Sequence, residues 1–126
     1  SYSPDGRTIA FHSQGGTWNY FAARHVGIVP SGGGTVRYLT EGHDFDVFRG
    51  GNSFSWSPDS KSLLYTAGRA MVDILVKQDI DSGKVQILSE RIAGTASFTP
   101  DLSRAVFLKS SPSRPLEVVA FEQSNE

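Results

Sequence analysis

The chain has 126 residues, which suits one globular unit, and 38% hydrophobic content is enough for a modest packed core. Twelve Lys and Arg against thirteen Asp and Glu leave a net charge of -1, so no strong field draws it onto nucleic acid or an anionic membrane, and a polyanion partner is disfavoured. Cysteine is absent, which excludes disulfides and thiolate metal sites without naming a compartment, and no apolar run approaches the roughly 20 residues that cross a bilayer.

In chain order, the first predicted element is a turn and strand, Ser3-Pro4-Asp5-Gly6-Arg7-Thr8-Ile9-Ala10-Phe11. Ser can bond backbone amides, Pro fixes φ at the second position, Asp supports a type I turn and Gly6 permits the exit geometry. A third strand follows over residues 20–29, then a turn at 30–34 and a fourth strand at 35–40. The glycine-rich, aromatic stretch at 14–19 and the connection at 41–51 read as loops.

The turn and strand return as Ser57-Pro58-Asp59-Ser60-Lys61-Ser62-Leu63-Leu64-Tyr65, preceded by Phe54-Ser55-Trp56, whose large and small residues alternate as in a half-buried strand. Residues 72–80 form an apolar, β-branched strand, Asp81-Ser82-Gly83 reverses the chain, and 84–88 returns. A looser third copy is Thr99-Pro100-Asp101-Leu102-Ser103-Arg104-Ala105-Val106-Phe107, after Ala96-Ser97-Phe98 and before a strand at 116–121.

Pro4 and Pro58 are 54 residues apart and Pro58 and Pro100 are 42 apart, which brackets the roughly 40 to 50 residue period of four-stranded propeller blades. The fold class expected is therefore all-β: a partial β-propeller of two to three four-stranded antiparallel blades. The division is 1–40 for a blade lacking most of its inner strand, 41–51 for an inter-blade loop, 52–89 for a complete blade and 90–126 for a blade lacking its outer strand. A helical reading fails, because the one weak candidate, 67–76, contains Gly68 and then turns β-branched.

The Trp56-Ser57-Pro58-Asp59 turn, the Leu63-Leu64-Tyr65 strand and the Gly-rich turn ending in Arg37-Tyr38-Leu39-Thr40 resemble the repeat shared by TolB-like propellers and the prolyl oligopeptidase family. The segment from Phe107 through Ser111-Pro112-Ser113-Arg114-Pro115-Leu116-Glu117 is similar to a late blade of acylaminoacyl-peptidase-like enzymes. The chain departs from that pattern where Leu102-Ser103 replaces the usual Gly-Lys pair, in the missing inner strand of the first blade, and in having no hydrolase domain after Glu126.

The resemblance implies a longer parent protein: a serine peptidase whose propeller restricts substrate access while a separate hydrolase domain cleaves, or, as the alternative, a non-catalytic TolB-like binding module. The partners expected are the remaining blades, the hydrolase domain of the peptidase reading, and a peptide substrate or protein partner. Self-association through exposed blade faces is a further expectation. The peptidase reading favours the cytoplasm and the TolB-like reading the periplasm.

No catalytic site is expected in this chain, since the Gly-x-Ser-x-Gly turn of an α/β-hydrolase nucleophile is missing from it. Serines 53, 55 and 57 read as repeat residues. His12 and His25 lack the paired spacing of a zinc site, Asp79-Ile80-Asp81-Ser82-Gly83 lacks the ligand set of a calcium loop, and Ser31-Gly32-Gly33-Gly34 precedes no helix that could hold phosphate. Neither a metal nor a cofactor is implied. Trp18, Tyr20 and Phe21 read as inter-blade packing or a ligand-facing loop. Three residues are carried as substrate contacts: Arg114 and Glu117, through the peptidase resemblance, and His43 in Gly42-His43-Asp44, otherwise a solvated loop.

Overall fold

Each Ser/Thr-Pro-Asp turn closes through the same bonds in the computed structural model, which describes residues 1–14, 23–44, 46–47 and 54–122, without the side chains of 94 and 95. Ser3 Oγ donates to Asp5 Oδ1 at 2.6 Å, the Arg7 amide donates to the same oxygen, and the Thr8 amide donates to Ser3 Oγ at 3.0 Å. Ser57, Asp59, Lys61 and Ser62 repeat this set, and Thr99, Asp101, Ser103 and Arg104 repeat it again. A local network of this kind forms from the turn residues alone, which is why the motif is legible.

The fourth residue of every turn is left-handed, with φ of 71° at Gly6, 61° at Ser60 and 58° at Leu102. Only the first is glycine, so the turn network holds two ordinary residues in a region they rarely adopt. Leu102 is buried, and this burial offsets its strain.

The first sheet contains β1 (Thr8–Ser13), β2 (His25–Pro30) and β3 (Arg37–Tyr38), paired antiparallel in chain order. The second contains β4 (Ser55–Trp56), β5 (Ser62–Arg69), β6 (Val72–Asp79), β7 (Val85–Phe98), β8 (Arg104–Ser111) and β9 (Arg114–Glu122), also in chain order. Before β1, Tyr2 forms an isolated antiparallel bridge with Ile9. The aromatic stretch with Trp18, Tyr20 and Phe21, Ser53, and parts of the 41–51 connection lie outside the described residues.

β5 and β6 are buried on both faces, as their nearly continuous apolar sequences require. Leu63, Tyr65, Ile74 and Val76 point to Ala10, Val26 and Ile28 of the first sheet, while Leu75 packs with Ala105 and Phe107 of β8. The core is thus two apolar layers on either side of the β5–β6 hairpin.

The strand expected at 20–29 is His25–Pro30, with 23 and 24 outside it, the one expected at 35–40 shortens to Arg37–Tyr38, and the largest difference lies in β7. Residues 84–88 and 96–98 read as strands separated by a connection, whereas 85–98 form the single 14-residue strand β7. Its first part pairs with β6 and its last part with β8, with Ile92 pairing both. The register shifts between Asp73 and Ile74, between Leu75 and Val76, and again between Ala93 and Ser97, and such irregularities bend a strand. Leu88, Ala96 and Phe98, from both parts, pack on one apolar cluster.

Candidate ligand-facing rim

The strand pairings line up a row of residues along one end of the second sheet. Asp46 bridges Gly68, Gly68 pairs with Asp73, Asp73 with Ile92, Ile92 with Lys109, and Lys109 with Glu117. This rim joins the connection after β3 to the ends of the β5–β6 and β8–β9 hairpins. The turns at 57–60 and 80–83 lie at the opposite end, where Ser62 pairs with Asp79.

Glu117 lies in the rim row and Arg114 begins the same edge strand; Arg114 Nη1 is 3.8 Å from Glu117 Oε1, with both side chains more than half exposed. An exposed pair of this kind contributes about 0 to 1 kcal/mol, so both charges remain accessible to a ligand. His43 is exposed, and its amide donates to the Thr40 carbonyl at 3.0 Å. It precedes Asp46, which stands five pairings from Glu117 at the far end of the row. The structure brings Arg114 and Glu117 together and leaves His43 apart from them.

Between the two hairpin ends lies an open cleft of about 510 Å³. The β5–β6 end supplies Met71, Val72 and Asp73, β7 supplies Arg91 and Ile92, and the β8–β9 end supplies Ser110, Ser111 and Pro112. Arg91 is the extra residue of the β7 irregularity: Ile74 pairs with Glu90 and Asp73 with Ile92, leaving Arg91 between them with φ of 59°. Glu90 is fixed by Arg69 at 2.9 Å. Sequence reasoning missed Arg91, because a charged residue between Glu90 and Ile92 carries no local sign of a bulge. Only the two-versus-one pairing against β6 reveals it.

His12 and His25 lie on β1 and β2 of the first sheet. His12, on β1, stacks on Phe54 with ring centroids 4.3 Å apart, and burial, with help from Arg24 and the terminal amino group, holds its pKa below the ordinary value. His25 Nδ1 lies 3.2 Å from Thr40 Oγ1. Among the described residues, no group of three or more His, Cys, Asp or Glu is arranged to hold a metal, and no helix is long and apolar enough to cross a membrane.

No family model and no curated protein matches the chain. Solved structures do. A protein assigned as TolB from Agrobacterium tumefaciens is 27% identical with a TM-score of 0.69, over 96% of this chain and 40% of that one. TolB from Acinetobacter baumannii is 23% identical with a TM-score of 0.69, over 98% of this chain and 29% of that one. A protein assigned as a dipeptidyl aminopeptidase IV from Bacteroides ovatus is 20% identical with a TM-score of 0.62, over 97% of this chain and 22% of that one.

The fold is therefore a partial β-propeller, similar to those of the TolB structures and of the aminopeptidase structure. The chain spans 40% and 29% of the length of the two TolB structures.

Proposed function

We propose that this chain is the non-catalytic propeller portion of a serine peptidase resembling the prolyl oligopeptidase family, governing substrate access while bond cleavage occurs in a hydrolase domain elsewhere in the protein. The observation that supports it is the rim. Three separate segments present exposed charged and hydroxyl groups along one end of a rigid double-faced core, as a surface that meets a peptide requires. His43, Arg114 and Glu117 act in this reading as substrate contacts.

The division into blades at 1–40, 41–51, 52–89 and 90–126 belongs to the same proposal. The outward face of β8 and β9, where Val106, Leu108, Leu116 and Val118 are exposed, is the surface an adjoining blade covers. Where no blade covers it, it is also the surface through which copies of the chain associate.

The second reading is a TolB-like binding module that engages a protein partner without catalysis, and it draws support from the higher similarity of the two TolB structures, with TM-scores of 0.69 against 0.62 for the aminopeptidase. Treating the full-length protein with a serine-reactive phosphonate and with short chromogenic peptide substrates separates the two. Labelling outside residues 1–126 together with turnover supports the peptidase. Neither labelling nor turnover supports the binding module, and labelling of a serine within 1–126 contradicts both.

A further inference from the structure

We infer that the rim cleft is a carboxylate-binding site in which Arg91 holds the anion, and that its ligand is an extended peptide presenting a carboxylate from its C-terminus or from an acidic side chain. The inference rests on the reading that the rim meets a peptide. It names the chemistry by which that peptide is held.

Arg91 has φ of 59°, a region that glycine occupies freely and a long side chain does not. Strain of this kind persists where the surroundings over-determine it, and it concentrates at ligand sites. Here the surroundings are the paired residues on either side and the Arg69–Glu90 ion pair, which anchors the strand immediately before the bulge. The bulge adds a residue at the one point where β7 passes between two hairpin ends, and that residue lines the cleft.

At this end of the sheet Arg69 pairs with Glu90 and Arg114 with Glu117, whereas Arg91 forms no ion pair among the described residues. Its guanidinium is a planar fork matched to a carboxylate. Ser110 and Ser111 line the opposite wall and offer hydroxyl donors to the same anion. Asp73, also in the lining, opposes a doubly charged phosphate more strongly than a singly charged carboxylate. Met71, 90% exposed, with Val72, Ile92 and Pro112, supplies apolar walls for the neighbouring side chains of a peptide. A volume of about 510 Å³ lies within the range of small-ligand sites.

The test uses the full-length protein and three fluorescent peptides of one sequence: a free C-terminal acid, its C-terminal amide, and the amide with one internal Glu. Binding is read by anisotropy in wild type, Arg91→Gly and Arg91→Lys. The acid, the Glu-containing amide, or both should bind about tenfold or more tightly than the plain amide, and which of them does so identifies the source of the carboxylate. Arg91→Gly should abolish that preference while its thermal midpoint stays level or rises, since glycine relieves the strain. Arg91→Lys should retain part of the preference. Equal binding of all three peptides, or an undiminished preference in Arg91→Gly, overturns the carboxylate site and leaves the peptide-facing rim standing. Absence of binding by every peptide overturns both.

Discussion

The Tyr65 hydroxyl donates a 2.8 Å hydrogen bond to Gln78 Oε1, and both side chains are buried in the layer between the two sheets. Gln78 Nε2 donates onward to the Leu39 carbonyl at 2.7 Å and the Gly83 carbonyl at 3.0 Å. One amide thus ties the end of the first sheet, the β5–β6 hairpin and the turn after it. Burial also raises the Tyr65 pKa above its ordinary value, so the hydroxyl keeps its proton and remains the donor.

Removing Gln78 strands two carbonyls and a phenol in an apolar layer, where each unsatisfied group costs about 1 to 3 kcal/mol. Gln78→Leu is expected to lose roughly 2 to 4 kcal/mol in urea unfolding, and Tyr65→Phe about 1 kcal/mol. A smaller loss for Gln78→Leu than for Tyr65→Phe would show that the amide does not organise this layer.

The left-handed turn residues give a paired prediction. Ser60→Gly relieves backbone strain and loses only the exposed bond that Ser60 Oγ accepts from the Asp5 amide, so stability should change by no more than about 1 kcal/mol in either direction. Leu102→Gly relieves the same strain but removes a buried side chain, and should cost about 1 to 3 kcal/mol. Thermal denaturation of the two variants checks the contrast.

These turns mark the boundary of what the sequence reveals. Ser-Pro-Asp chemistry acts over six residues, so the turns and their following strands are readable from composition and order. The left-handed geometry at Ser60 and Leu102 is not, since neither residue type prefers it and the neighbouring hydrogen bonds impose it. The continuity of β7 is hidden for another reason: Ser89-Glu90-Arg91 and Gly94 resemble a connection until β6 and β8 are present to pair with them. Arg114 and Glu117 were reached through resemblance and lie at the rim, whereas Arg91 depends on a long-range register that one strand cannot encode.

The turn aspartates predict the acid behaviour. Hydrogen bonds from Thr99 and Ser103 lower the Asp101 pKa from 3.8 to about 2, and bonds from Ser3 and Arg7, and from Ser57 and Lys61, lower those of Asp5 and Asp59. A depressed carboxyl pKa stabilises the fold above the unfolded value and is lost as pH falls through the folded one. Stability should therefore decline between about pH 4 and pH 2, and Asp101→Asn should flatten that decline as followed by circular dichroism.

His12 acts in a higher window. Its folded pKa lies below 6.5, chiefly through burial, so the unfolded chain takes up the proton first and stability falls as pH drops through the ordinary histidine range. The ring stacks on Phe54 between the two sheets, so His12→Gln should lower stability at pH 8 and remove the slope between about pH 7 and pH 5. A slope unchanged by that substitution would exclude His12 as its source.

In the proposed reading the ligand meets the rim formed by the hairpin ends and not the turn end. Amide hydrogen exchange of the full-length protein, with and without a short peptide carrying a free carboxylate, tests it most directly. Peptide should protect residues 71–73, 91–92 and 110–114 and leave the turns at 57–60 and 80–83 unchanged. Protection confined to those turns, with the rim unaffected, would contradict it.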